Sequence, residues 1–326
     1  MATRVAVDAL GGDHAPDEVV AGAVEAASST IAPVLFGPAS LEPRGMEHVA
    51  STQEIAMREK PADAVRAKPD SSLVRAVRAV ADGDAAAVVS AGNTGAVLAA
   101  SLLHVRRLPG VLRPGIAIVI PSKRGPTVLI DAGANADARA EHLVQFAHMG
   151  IVFAEEILDV RDPSVRLLSI GEEAEKGNQL TLEAHALLEE AELRFDGNTE
   201  GRALLEGDAD VVVCDGFTGN VALKTLEGTI RSVLEALRSE IRASVRGRIG
   251  GLLIRPAARG LRARLDPETH GGGYLLGLKG LVVIAHGSSS HVAIANATRM
   301  AARGVEHGLV ERLAERLPGA RSASRT

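Results

Sequence analysis

The sequence predicts an α/β fold: a mostly parallel sheet with helices on both faces, carrying a basic helical insertion. Three observations predict it. At least six times, a short apolar run ends in a small polar loop and then passes into a helix-forming stretch. That alternation marks a parallel sheet with helical crossovers. Hydrophobic residues make up 46% and aromatics only 2%, so the core is Val, Leu, Ile and Ala, as strands buried on both faces prefer. Finally, the stretch from Ile241 to Leu265 has no Asp or Glu but seven arginines.

The length of 326 residues admits one large α/β unit. We expect a single domain over 1–314, with a tip segment at about 241–270 and a disordered tail over 315–326.

Taken in order, Val5–Leu10 reads as a strand ending in Gly11-Gly12-Asp13-His14, with a helix from about Asp17 to Ala27. Pro33–Gly37 is a second strand, Glu42–Lys68 is mixed, and Ser71–Ala81 is helical. Ala85–Val89 is a buried strand, Ser90–Gly95 a polar loop, and Ala96–Leu103 a good helix former. Gly115–Ile120 and Thr127–Ile130 are strands around a turn. Asp131–Asp137 is a further polar loop before a helix from about Ala140 to Ile157. Val165–Ile170 is a strand, Gly171–Asn178 its loop, and Thr181–Ala191 a helix. Ala209–Cys214 is a strand followed by Asp215–Asn220. Leu223, Leu226, Ile230, Val233, Leu237 and Ile241 keep helical spacing, so a long amphipathic helix runs there. Leu281–Ala285 is the last strand; His286–Ser290 and a helix to about His307 follow.

Within the basic segment, Arg242, Arg246, Arg248, Arg255, Arg259 and Arg262 alternate with apolar residues that include Leu252 and Leu253. Four glycines and Pro256 are expected to break it into short pieces. Such a segment suits an anionic membrane surface or an acidic protein; a solvated hairpin at a dimer tip is the competing account.

The net charge of −5 gives no global attraction to nucleic acid, and the scarcity of aromatics argues against base stacking. The lone Cys214 sits in an apolar run and reads as a buried, inert thiol. It excludes thiolate clusters, and no His-x-x-x-His pair is present, so no metal site is expected. No signal peptide and no membrane-spanning apolar run is visible; a cytoplasmic location is the expectation. Walker, dinucleotide and nucleophile-elbow signatures are missing, and no cofactor is called for.

In an open parallel sheet the loops at the carboxyl ends of the strands share one edge, where ligands bind. All these polar loops are therefore expected on one surface. Ser90, Gly92, Asn93, Thr94 and Gly95 open a helix with free N–H groups, which suits an anion. Lys176, Asn220, Lys224 and His286 add donors suited to a carbonyl. Asp8, Gly11, Gly12, Asp131, Asn135, Asn178, Asp215 and Ser288 shape the loops. The aspartates are better suited to orienting backbone N–H groups than to holding Mg²⁺. Each loop is also the ordinary sequence of a capped strand-to-helix turn.

Eight short motifs follow one another in order: Asp8-Ala-Leu-Gly-Gly-Asp13, Glu59-Lys-Pro61, Ser90-Ala-Gly-Asn-Thr-Gly95, Asp131-Ala-Gly-Ala-Asn135, Gly171-Glu-Glu173 with Lys176-Gly-Asn178, Asp215-Gly-Phe-Thr-Gly-Asn-Val-Ala-Leu-Lys-Thr225, Leu275-Leu-Gly277 and His286-Gly-Ser-Ser289. Together they resemble the bacterial phosphate acyltransferase family of phospholipid synthesis, over about residues 4–305. Leu10, Ala132 and Gly273-Tyr274 depart from its usual Met, Val and Ala-Pro without removing a polar group.

The resemblance implies a phosphotransacetylase- or isocitrate-dehydrogenase-like fold and a homodimer loosely attached to the membrane. Its substrates would be acyl-[acyl-carrier-protein] and inorganic phosphate, its product acyl phosphate. A membrane glycerol-3-phosphate acyltransferase would consume that product. Chemically, phosphate would attack the thioester carbonyl; a thiol of pKa about 8.5 leaves readily, so positioning and oxyanion stabilisation dominate. The competing readings are a nicotinamide-dependent dehydrogenase of the same fold and a non-catalytic carrier-protein or membrane scaffold.

Overall fold

The computed structural model describes residues 2–265 and 271–318, apart from the side chains of 262, 263 and 265. The elements run β1 (Thr3–Asp8), α1 (Asp17–Ala26), β2 (Ile31–Gly37), β3 (Glu47–Ala50), α2 (Pro61–Ala67), α3 (Ser72–Ala81), β4 (Ala87–Ser90) and α4 (Thr94–His104). The hairpin β5 (Gly115–Pro121) and β6 (Pro126–Ile130) leads into α5 (Ala140–Leu158), β7 (Val165–Ser169), α6 (Gln179–Glu189), β8 (Phe195–Glu200) and β9 (Val211–Val213). Then come α7 (Gly216–Ala243), α8 (Val245–Leu265), β10 (Gly273–Leu276), β11 (Leu281–Ile284), α9 (His291–Glu306) and α10 (Leu309–Arg316).

All strands join one sheet in the order β3-β2-β1-β4-β11-β10-β5-β6-β9-β7-β8. Its strands alternate between two cores, as the two-residue side-chain period requires. Val5, Val7, Val211 and Val213 face a cluster built with α1, α5 and α9. Ala6, Val88, Leu129 and Val212 face a second one built with α2, α3, α4 and Leu223 of α7. Helices thus cover both faces, as the composition predicts.

The sheet corrects the expectation that every polar loop shares one edge. β10 pairs antiparallel with both β11 and β5, and β5 antiparallel with β6. The strands β6, β9, β7 and β8, parallel to one another, therefore run opposite to β1, β4 and β11. Loops after β1, β4 and β11 lie at one edge, and loops after β6, β7 and β9 at the other. α4 packs on β11 and α7 on β6, flanking the antiparallel centre.

The basic segment is also more regular than expected. α7 is continuous over 28 residues, and α8 over 21 with Pro256 inside it. The chain turns at Ser244, whose hydroxyl accepts from the Gly247 N–H at 2.9 Å. Gly251 then meets Ile241, where a Cβ would lie 2.5 Å from Cγ2; the glycines permit close helix approach instead of breaking the helix. Beyond Leu223 α7 buries nothing fully, and Leu252 and Leu253 are 67% and 77% exposed. No described helix is long and apolar enough to cross a membrane. Residues 266–270 of the expected tip lie outside the described residues. Of the tail expected over 315–326, the first residues are ordered, since α10 reaches Arg316 and Leu317 is buried; 319–326 lie outside the described residues.

Candidate functional site

The first group of loops is organised on Asp8. This buried carboxylate accepts from Ser72 Oγ at 2.6 Å and Ser90 Oγ at 2.7 Å. Burial pushes its carboxyl pKa up, against those hydroxyl bonds and the Leu10 N–H. Ser90 Oγ in turn accepts from the Gly92 N–H at 3.1 Å. Gly11 is required here: a Cβ would stand 2.6 Å from Asp8 Oδ2 and 2.8 Å from the Gly92 nitrogen. Gly12 has φ +119°, and the Asp13 N–H donates to the Gly287 carbonyl at 2.7 Å. Three loops are thus sewn together. Ser90 and Gly92 are spent on holding them, which leaves the outward positions to Thr94, exposed, and Gly95, half-buried. Their N–H groups occupy the first turn of α4, where a helix has no internal acceptors.

Asn93 caps α4: its Oδ1 accepts from the Ala96 N–H at 3.1 Å, while Nδ2 donates to the Met57 and Glu59 carbonyls. Those bonds lash the 54–60 loop across the start of α4. Glu59 is fixed by Lys68 and by the Ala56 N–H, which hold its carboxyl below the usual range.

At the opposite edge, Asp131 is fully buried and gathers N–H donors from Ile116, Gly133, Ala134 and Asn135, plus Asn135 Nδ2. Asn135 passes its own carbonyl to the Gly216 N–H at 2.8 Å. Asp215 caps α7 through the N–H and hydroxyl of Thr218, and Asn178 caps α6 through the Thr181 N–H. The aspartates therefore orient loops. Among the described residues no group of three or more His, Cys, Asp or Glu is placed to hold a metal ion. Cys214 is buried, with its thiol pKa pushed well up by desolvation.

α7 joins the two edges. Asn220, exposed, stands over Gly133, where a Cβ would lie 3.6 Å from its own Cβ. One turn on, Lys224 Nζ hydrogen-bonds His286 Nε2 and pairs with Glu227 Oε2 at 2.8 Å. His286 Nε2 faces the lysine, while Nδ1 lies 2.9 Å from Ser288 Oγ and 3.4 Å from the Ser288 backbone nitrogen. Burial, then the Lys224 charge, lowers the imidazole pKa, against Glu227 and Asp13. His286 is therefore neutral at pH 7 and braced on both nitrogens.

Lys176 is exposed on the loop after β7; its N–H donates to the Glu173 carbonyl at 3.0 Å and its carbonyl accepts from Ser169 Oγ at 2.9 Å. The structure brings Lys224, His286 and Ser288 together, and separately Asp8, Ser90, Gly92 and Gly11; it gives Lys176 no contact with either set. Sequence reasoning missed Glu227 and Ser72. Glu227 was signalled by its i+3 spacing from Lys224 on one helix face. Ser72, at the start of α3, carried no local signal.

The chain matches the family described as fatty acid synthesis protein over residues 3–312. Among curated relatives, the phosphate acyltransferase of Heliobacterium modesticaldum is 46% identical, over 97% of this chain and 98% of its own. That of Thermosynechococcus vestitus is 46% identical over 95% and 94%. Among solved structures, EutD phosphotransacetylase from Staphylococcus aureus superposes with a TM-score of 0.61 at 18% identity, covering 93% and 94% of the two chains. A 4-hydroxythreonine-4-phosphate dehydrogenase from Klebsiella pneumoniae follows with 0.52 at 12%, over 93% and 98%. These two share the fold. Identity sustained along nearly the whole chain makes it a member of the phosphate acyltransferase family of fatty acid and phospholipid synthesis, and an acyltransferase.

Proposed function

We propose that the protein transfers a fatty acyl group from the thioester of an acyl-carrier protein to inorganic phosphate, giving acyl phosphate. The observation that carries this reading is α7, which leads from the Asp131–Asp215 loops to the Lys224–His286 pair and so sets cationic and neutral donors beside the loop after β11. Phosphate sits on the first turn of α4, at Thr94 and Gly95, with Asn93, Ser90 and Gly92 setting the loop. Its oxygen attacks the thioester carbonyl. Asn220, Lys224 and Lys176 meet the developing oxyanion, and neutral His286 orients or relays the phosphate proton. The sulfur leaves as thiolate, so no strong acid is needed.

The α7–α8 hairpin is the membrane contact in this reading. Leu252 and Leu253 enter the lipid interface, each contributing about 1.5–3 kcal/mol when buried, while Arg242, Arg246, Arg248, Arg255 and Arg259 meet anionic headgroups. A homodimer would present two such tips. Delivery at the surface suits a membrane glycerol-3-phosphate acyltransferase as consumer of acyl phosphate. The reading is tested by following carrier thiol release. Release should depend on phosphate, and Lys176→Ala should lower it about 100-fold with the melting temperature unchanged; release that ignores phosphate would refute it.

A further inference from the structure

Phe195 and Asn198 lie three residues apart on β8, yet both touch His185 on α6. The Phe195 ring packs edge-on to the imidazole at a centroid distance of 5.1 Å, and Asn198 Oδ1 lies 2.9 Å from His185 Nδ1. In a regular strand these two residues would point to opposite faces. The pairing of β8 with β7 slips between them: Val165 faces Phe195 but Leu167 faces Asn198, and Gly197 sits at φ +81°. A bulge thus turns a buried asparagine inward, and bulges re-aim side chains in this way beside functional sites.

Asn198 is 1% exposed and His185 7%. The Asn198 amide donates from Nδ2 to the Glu173 carbonyl at 2.8 Å. A carbonyl only accepts, so Oδ1 is left to accept from His185 Nδ1–H. The Glu173 carbonyl also takes the N–H of Lys176 at 3.0 Å. A chain of hydrogen bonds therefore runs from His185 through Asn198 to the Glu173 carbonyl and back to the Lys176 backbone. Glu172 to Lys176 are otherwise exposed. His185 Nε2 lies 3.3 Å from Glu189 Oε1.

We infer that His185 and Asn198 are positioning residues that fix the loop bearing Lys176 for the transfer step. This rests on the role proposed for Lys176. Burying two polar side chains is costly unless each is bonded, and here both are bonded in series to the loop. Displacing a reacting group by about 1 Å costs up to about 100-fold in rate, so Asn198→Ala should lower kcat about 10-fold to 100-fold while KM for phosphate stays within about 3-fold.

The test is a double-mutant cycle on phosphate-dependent thiol release with Asn198→Ala, Lys176→Ala and the pair, each checked for its melting temperature. Asn198→Ala should cost kcat in the wild-type background and nothing further beside Lys176→Ala. A full additional loss in the pair, or no loss alone, would overturn the inference. Should Asn198→Ala fail to fold, His185→Leu and His185→Gln replace it: Gln keeps a donor to Asn198 and should retain the kcat that Leu loses, and equal losses would overturn the inference. If Lys176→Ala itself leaves turnover unchanged, the role of Lys176 fails and the catalytic part of the inference with it. Amide exchange of residues 172–178 then reads the tether alone: faster exchange in Asn198→Ala supports it, and unchanged exchange refutes it.

Discussion

Lys224 on α7 and His286 at the end of β11 hydrogen-bond to one another although 62 residues separate them and the strands that lead into them run in opposite directions. This contact joins α7, which starts at one sheet edge, to the loop after β11 at the other. It also sets a pH dependence. Burial and the lysine charge hold His286 below the ordinary imidazole range. A neutral His286 is present above its pKa and is lost as pH falls through it. The acid limb of kcat/KM should therefore lie below about pH 6.5. In Lys224→Met the limb of the residual activity should move up. A wild-type limb at or above the ordinary value would contradict the assignment.

Asp8 is the keystone of the first loop group. Asp8→Ala strands the hydroxyls of Ser72 and Ser90 and should cost about 1–3 kcal/mol in urea denaturation. Asp8→Asn separates charge from shape. The folded-state carboxyl pKa is raised, so the native state holds its proton to higher pH than the unfolded chain. Wild-type stability should therefore fall, relative to Asp8→Asn, as pH rises from 3.8 through that higher value. Parallel stability curves across that range would exclude a buried ionising Asp8.

Gly219 lets α7 dock on the Asp131 loop: a Cβ there would stand 2.0 Å from the Asp131 carbonyl oxygen and 2.8 Å from Cys214 Sγ. Gly219→Ala must push α7 away, at a cost of about 1–3 kcal/mol. Because Asn220 and Lys224 ride on the same helix, kcat should fall with stability. A stable, fully active variant would show that the α7 position is not critical.

Most elements were legible because their signals are local. α7 could be traced from Leu223 to Ile241 by its period, and β4, β6 and β9 by their apolar runs. β3, α2, β8 and β10 were not. β8 reads Phe-Asp-Gly-Asn-Thr-Glu, polar because its bulge serves an internal hydrogen-bond network, and β10 is a four-residue strand beginning at a glycine. The single edge expected for all polar loops failed for a nonlocal reason: β10 and β5 reverse the direction of the sheet between β11 and β6. The loop residues themselves were picked out by type, but which of them are spent internally, as Ser90 is on Asp8, depends on partners such as Ser72 that no spacing reveals.

The hairpin assignment predicts lipid dependence. The protein should co-sediment with vesicles containing anionic lipid and less so with neutral ones or at high salt. Leu252→Asp with Leu253→Asp should abolish co-sedimentation and leave the melting temperature unchanged, because both side chains are exposed. Binding that survives the double substitution would place the membrane contact elsewhere.

The proposed reaction turns on phosphate as the acyl acceptor. The decisive measurement is to incubate the protein with acyl-[acyl-carrier-protein] and inorganic phosphate and trap the product with hydroxylamine. Acyl hydroxamate should accumulate only with phosphate present. No phosphate-dependent hydroxamate from folded protein, with hydride transfer to a nicotinamide instead, would contradict it.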